Sequence, residues 1–92
     1  MSTENVDARK MSPAQCRAAR ALLGLTQPML ARWANLGLST VVDFEKGRRV
    51  VSVQAIASMR AALESGGIAF IPENGGGLGV LLRLPSTARP RR

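Results

Sequence analysis

The chain contains no histidine and no tyrosine, and Cys16 is the single cysteine among its 92 residues. Enzyme sites that use acid–base or nucleophilic chemistry commonly depend on such side chains, and a nucleophilic thiol needs a neighbouring base. The sequence also offers no cluster of metal-ligating residues and no pair of carboxylates. These shortages argue against an enzyme. We therefore expect no catalytic residue, no metal site and no cofactor.

Long apolar runs are also missing. No apolar stretch approaches the roughly 20 residues that a membrane-spanning helix needs, and the N-terminal segment lacks the pattern of a secretory signal. A single cysteine cannot form an internal disulfide, which suits a reducing compartment. We therefore expect a cytoplasmic protein without a membrane partner.

Positive charge, in contrast, is abundant. Thirteen Lys and Arg against six Asp and Glu give a net charge of +7. Such an excess favours a polyanionic partner, nucleic acid before an anionic membrane surface, although charge can also serve solubility alone. The length allows one small domain, and with 46% apolar but only 3% aromatic residues its core should be aliphatic.

Helix signals occupy the first two thirds of the chain. Residues 1–11 are polar and predict a flexible N-terminal arm that contacts a phosphate or is simply disordered. Ser12-Pro13 then combines a capping hydroxyl with proline at the first helical position, so a helix should begin there and bury Cys16. Ser52 should cap a later helix, and its apolar residues predict a core stripe. That stripe consists of Val53, Ile56, Met59 and Leu63.

Two shorter helices should lie between these. Thr26 can cap the first, and Asn35 can end it in the left-handed conformation. Gly37 is a weaker cap for the second, which should stop at Gly47. Two helices joined by a three- or four-residue turn form the arrangement of helix-turn-helix proteins that read DNA. The basic residues at the end of the second helix then favour contacts with DNA phosphates over a solvated loop. These residues are Lys46, Arg48 and Arg49.

After residue 66 the apolar pattern changes from a helical period to short β-type runs. Runs at 68–71 and 78–84 surround the turn signal Asn74-Gly75 and predict a β-hairpin over residues 67–84. Two strands alone are marginal in water, and both faces of this hairpin carry apolar side chains. One face can pack on the helices, whereas the other needs a partner, most simply a second copy of the chain. The expected dimerisation residues are Ile68, Phe70, Ile71, Val80, Leu81 and Leu82.

Residues 85–92 should form a disordered basic tail.

Three runs carry a family resemblance: Arg20-Ala-Leu-Leu-Gly-Leu-Thr-Gln27, Leu30-Ala31 and Phe44-Glu-Lys-Gly-Arg48. Through them, residues 15–65 resemble the lambda-repressor-like helix-turn-helix domain of the Cro/repressor, or xenobiotic-response-element, family of bacterial and phage regulators. The resemblance implies a mainly α fold, with a four-helix DNA-binding domain over residues 12–66 followed by the C-terminal β-hairpin.

The resemblance also implies roles for individual residues. Arg20 should form a structural ion pair with Glu45, and Gln27 should join the three basic residues in contacting phosphates. The residues facing the bases would be Leu38, Ser39, Thr40, Val42 and Asp43. The family usually has Gly at position 35 and Ser or Thr at position 37. Its groove-reading positions also often carry side chains that make bidentate contacts to bases, and these five do not. Base preference should then rest on apolar contacts, DNA shape and phosphate clamping.

Together these features predict a sequence-specific, DNA-binding transcriptional regulator. It would act as a homodimer on a pseudo-palindromic operator and would associate with the nucleoid when bound. The alternative is a protein-interaction module, such as an antitoxin or anti-activator. Such a module would use the apolar hairpin or the second short helix to bind a regulatory partner protein.

Overall fold

The computed structural model describes residues 10–71 and 77–84, so most of the expected arm, the Asn74-Gly75 turn and the basic tail lie outside the described residues. Within these ranges the chain forms four helices followed by two antiparallel strands. The elements are α1 (Pro13–Leu23), α2 (Gln27–Ala34), α3 (Leu38–Lys46), α4 (Val53–Ser65), β1 (Ile68–Ile71) and β2 (Gly79–Leu82). The expectation of a mainly helical chain with a C-terminal hairpin is confirmed. No helix in this part of the chain is long and apolar enough to cross a bilayer.

Side-chain caps fix where the helices begin. The backbone N–H of Gln15 donates to Ser12 Oγ at 3.0 Å, and the N–H of Ser12 donates to Gln15 Oε1 at 2.9 Å, which completes a capping box on α1. Thr26 and Ser52 cap α2 and α4 through their hydroxyl oxygens. Gly37 precedes α3 and provides no side-chain cap. Local polar signals therefore set three of the four starting points.

A three-residue turn, 35–37, joins α2 to α3. Asn35 ends α2 with φ 59° and ψ 45°, and it is the one non-glycine residue of the described ranges with positive φ. Asparagine tolerates this left-handed conformation better than most residues, because its short polar side chain can bond locally. The conformation turns the chain sharply enough for α3 to pack against α2.

The core is aliphatic and lies between the helices and one face of the hairpin. Leu30, Val41, Met59 and Leu63 are completely buried there. Val53 departs from the expected α4 stripe, since 51% of it is exposed. It is the first residue of α4, at the margin of the core, where helical spacing alone does not ensure burial.

The packed structure includes part of the segment that the sequence predicts to be a flexible arm. Met11 is only 7% exposed and belongs to the core, although the expected arm extended to this residue. The backbone oxygen of Lys10 also accepts a hydrogen bond of 2.6 Å from Nη1 of Arg60 on α4. Lys10 is thus held by α4, which stands about fifty positions later in the sequence.

The hairpin presents one face to the helices and one to solvent. Its register pairs Ile68 with Leu82 and Phe70 with Val80, and these four side chains face the core. The intervening positions face outward, and Leu81 is 51% exposed. Apolar side chains on both faces, as expected from the sequence, therefore leave one apolar face uncovered in the single chain.

Candidate nucleic-acid interface

Helix α3 has one buried side and one open side. Val41, Phe44 and Glu45 point into the protein, with exposed fractions of 0%, 7% and 2%. The five predicted base-facing residues lie elsewhere on the helix and are all at least partly exposed. They are Leu38, Ser39, Thr40, Val42 and Asp43. The structure therefore gathers these residues on a surface that a ligand can reach.

The buried side of α3 is attached to α1 and α2 through the Glu45 carboxylate. Arg20 donates to it twice, from Nε to Oε2 and from Nη2 to Oε1, both at 2.8 Å. Gln27 Nε2 donates to Oε1 at 2.9 Å, and Cys16 Sγ donates to Oε2 at 3.1 Å. The Arg17 guanidinium also donates to the backbone oxygen of Glu45. This group of side chains, Cys16, Arg20, Gln27 and Glu45, is called the Glu45 network below.

Burial and hydrogen bonding act in opposite directions on the pKa of Glu45. Burial by itself raises the pKa, because it disfavours the carboxylate. The hydrogen bonds from Arg20, Cys16 and Gln27 favour the carboxylate more strongly and hold the pKa below its ordinary value. Glu45 raises the pKa of Arg20 in turn. The ion pair is therefore fully charged near neutral pH.

Cys16 contributes to the network as a hydrogen-bond donor. Burial, the hydrogen bond to Glu45 and the charge of that carboxylate together raise the pKa of its thiol far above the ordinary value. A thiol that stays protonated is a poor nucleophile. The sequence predicts a buried Cys16 but does not predict this bond. The signal was its position four residues before Arg20, which places both side chains on one side of α1.

Gln27 occupies the expected position at the start of α2, but its amide faces inward to Glu45. An amide nitrogen carries two N–H donors, so this bond leaves one of them for another acceptor. A phosphate contact by Gln27 stays a prediction. In the structure its role is to hold Glu45.

Three cations lie at the end of α3, and the two that follow the helix, Arg48 and Arg49, fold back toward its open side. Arg49 Nε donates to Asp43 Oδ2 at 2.8 Å, and Arg49 Nη2 lies 3.4 Å from Thr40 Oγ1. Arg48 Nη1 lies 3.8 Å from Asp43 Oδ1, and its side chain is 60% exposed. Lys46, the last residue of α3, is exposed as well.

The electrostatics of this region favour an anionic ligand. The carboxylate of Asp43 is the one acidic side chain on the open side of α3, and it lies within an ion pair of Arg49. Lys46 and Arg48 add positive charge at the end of the helix, where the helix dipole is negative and cations are favourable. Within residues 10–71 and 77–84, no group of acidic or cysteine side chains could hold a metal ion.

Comparison with models of known protein families gives no match for this chain, and no curated protein matches its sequence.

Proposed function

We propose that the protein is a DNA-binding transcriptional regulator of the lambda-repressor-like helix-turn-helix kind, with α3 as its recognition helix. The observation that carries the proposal is the two-sided character of α3. Its inner side is fixed by Glu45, while its outer side is open, with Lys46 at its end and Arg48 and Arg49 directly after the helix. A helix of this kind can enter the major groove, and Lys46 and Arg48 can reach the adjacent phosphates.

The connection between α2 and α3 supports the same reading. Helices of eight and nine residues are joined by the three-residue turn 35–37, which suits a recognition helix placed in the groove by a preceding helix. Donors from α1 and α2 converge on Glu45, so the orientation of α3 is set by directional bonds as well as by apolar packing. Binding sites require such rigid support for their contacting side chains.

The outer side chains of α3 determine which contacts with DNA bases are possible. Leu38 and Val42 can contact thymine methyl groups, and Ser39 and Thr40 can form hydrogen bonds with bases or phosphates. Lys46 and Arg48 are the proposed phosphate contacts. Contacts of this second class position the protein on the duplex without reading its sequence.

The outer face of the hairpin is the proposed dimer contact. Ile71 and Leu81 are 45% and 51% exposed there, and each strand has one edge without a neighbouring strand in the described residues. Pairing with a second copy would cover this apolar face and satisfy an edge. A two-fold dimer would then place two α3 helices on half-sites about one DNA turn, roughly 34 Å, apart.

Selection of bound sequences from random DNA at physiological salt tests the proposal, and recovery of a symmetric motif is the expected result. Affinity for the recovered operator should fall by about a thousandfold or more between 50 and 200 mM salt if the dimer contacts roughly six phosphates. Lys46→Glu should weaken binding to all sequences. Arg83→Glu is the charge-matched control, because Arg83 follows β2 on the hairpin. Equal effects of the two variants would contradict a role for the end of α3.

Sedimentation of the protein at tens of micromolar tests the dimer. Leu81→Gln should shift the equilibrium toward monomer while the fold is retained, since the side chain is already half exposed. Val53→Gln is the matched control, because Val53 is also 51% exposed but lies at the start of α4. A wild-type chain that sediments as a monomer would refute the proposed assembly.

A protein-interaction module is the second candidate, and the exposed apolar residues favour it. Leu38 on α3 is 46% exposed, and the hairpin adds the open face of Ile71 and Leu81. An antitoxin or anti-activator would bind its partner protein through such surfaces. Salt distinguishes the two functions, because contacts with phosphates weaken steeply with salt whereas apolar interfaces do not.

A further inference from the structure

We propose that Arg49 is the residue that reads guanine in the operator, and that Asp43 is the positioning residue that holds its guanidinium over α3. This inference rests on the proposed DNA-binding function and gives it a specificity-determining residue. It also assigns Arg49 a task other than the phosphate contact that the sequence alone suggests.

The geometry of Arg49 is that of an oriented side chain. Its Nε donates to Asp43 Oδ2 at 2.8 Å, and its Nη2 makes a longer contact of 3.4 Å with Thr40 Oγ1. Asp43 and Thr40 belong to the open side of α3, so the guanidinium lies across that side although Arg49 follows the helix in sequence. Half of the Arg49 side chain nevertheless stays exposed to solvent.

The unused donors of Arg49 match guanine. A guanidinium has five N–H donors in a planar fork, and the two contacts on α3 occupy the Nε donor and one donor of Nη2. The remaining donors include the pair at the end of the fork, one on each Nη. Guanine presents N7 and O6 as two adjacent acceptors in the major groove, and an arginine fork is the commonest side chain to bind both.

Asp43 acts in this proposal as the residue that positions the Arg49 guanidinium. A carboxylate on a surface that approaches DNA would be repelled by phosphates unless a cation pairs with it. The pairing with Arg49 removes that penalty and also restricts the rotamers of a long, flexible side chain. Arg48 differs from its neighbour, because it lies 3.8 Å from Asp43 and is 60% exposed, which leaves it free to turn toward a phosphate.

The test compares Arg49→Ala with its matched neighbour Arg48→Ala. Each variant removes one positive charge from the same segment, and both side chains are at least half exposed, so thermal unfolding should stay close to wild type. Motifs are selected from random DNA, and affinities are then measured by fluorescence anisotropy for the operator and for versions with single base pairs replaced. Wild type should prefer G·C at one position of each half-site by about ten- to a hundredfold.

Arg49→Ala should lose this preference and keep the preferences at other positions. Arg48→Ala should weaken all sequences alike and lower the salt slope by about one. Asp43→Asn should reduce the same preference, and the double variant Asp43→Asn/Arg49→Ala should discriminate no less than Arg49→Ala alone. Additive losses would mean that Asp43 reads a base itself.

The two possible failures are distinguishable. If Arg49→Ala keeps the wild-type G·C preference and behaves like Arg48→Ala, Arg49 is a phosphate contact and the inference is overturned while the proposed function stands. If wild type yields no motif and no salt-dependent DNA binding, the proposed function and this inference fall together.

Discussion

Deleting either partner of the Arg20–Glu45 ion pair should destabilise the fold, and deleting Arg20 should do more damage. After Glu45→Ala, the Arg20 side chain is still 19% exposed and keeps its hydrogen bond of 3.0 Å from Nη1 to the Leu25 backbone oxygen. After Arg20→Ala, a carboxylate that is 1% exposed keeps only the donors of Gln27 and Cys16. The charge left without its partner is therefore more deeply buried in Arg20→Ala than in Glu45→Ala.

The magnitudes follow from the cost of an unpaired buried charge. Removing one side of a buried pair typically costs about 3–5 kcal/mol. We expect Glu45→Ala near the lower end, about 3 kcal/mol, because solvent reaches part of Arg20. For Arg20→Ala at pH 7, protonation of Glu45 limits the charge penalty to about 3.7 kcal/mol, from its reference pKa near 4.3 and about 1.36 kcal/mol per pH unit. Lost hydrogen bonds from the guanidinium add to a charge penalty of up to this size, so a total of about 4 kcal/mol is expected.

Urea unfolding of the two single variants and of Arg20→Ala/Glu45→Ala measures these quantities. A small domain has only about 5–15 kcal/mol of stability, so both losses should be easily resolved. In thermal unfolding, about 3 kcal/mol corresponds to a fall in Tm of roughly 12–24 °C. The double variant should be less damaged than the sum of the single ones, with a coupling energy of about 1–3 kcal/mol. An unchanged Tm for Glu45→Ala would refute the reasoning.

The pH dependence of these variants gives a further prediction. The pKa of Glu45 is lowered in the folded protein, so its stabilising effect is complete above its unfolded pKa and is lost as the pH falls through the folded value. In Arg20→Ala the effect of burial should outweigh the remaining hydrogen bonds and raise the pKa of Glu45 in the folded state. Protonation then relieves the buried charge as the pH falls, so the loss of stability relative to wild type, measured by urea unfolding, should shrink between pH 7 and pH 4. A loss that stays constant over this range would contradict the prediction. Asn35→Ala should lower the unfolding free energy by about 1–2 kcal/mol while Asn35→Gly stays near wild type, because only the alanine is strained at φ 59°. Met11→Ala should cost about 2 kcal/mol in the same assay, as the loss of a buried side chain requires, whereas a residue in a mobile arm would show no effect.

The predictable part of the fold is the part determined by local chemistry. Ser12, Thr26 and Ser52 each begin a helix because a hydroxyl bonds to the next turn, and Asn35 ends one because it tolerates positive φ. Such signals involve residues close together in sequence, so they can be read without coordinates. Met11 shows the limit, since its burial depends on tertiary packing in the core, which no local signal predicts.

In the candidate site, too, some features could be predicted from the sequence, and others depend on how the helices pack. The resemblance suggested the Arg20–Glu45 pair, and the structure contains that pair. Of the additional donors to Glu45, Cys16 had a signal in its spacing from Arg20, whereas Gln27 had none, because its bond depends on where α2 crosses α3. The ion pair between Arg49 and Asp43 could not be predicted either, because a run of basic residues after a helix does not indicate where the side chains point.

The Glu45 network explains how one short helix can have two different sides. A buried ion pair contributes little stability compared with apolar residues of similar volume, so stability alone does not account for it. Its bonds have direction, however, and they come from two other helices. A shift of α3 by one residue would rotate its side chains by about 100°, which would carry Glu45 away from Arg20 and strand both charges. Apolar packing opposes the same rotation, because it would expose the buried side chains of Val41 and Phe44. Glu45 and the apolar side chains beside it therefore determine which side chains α3 presents outward. Because that rotation is fixed, Asp43 and Arg49 can be arranged with respect to each other.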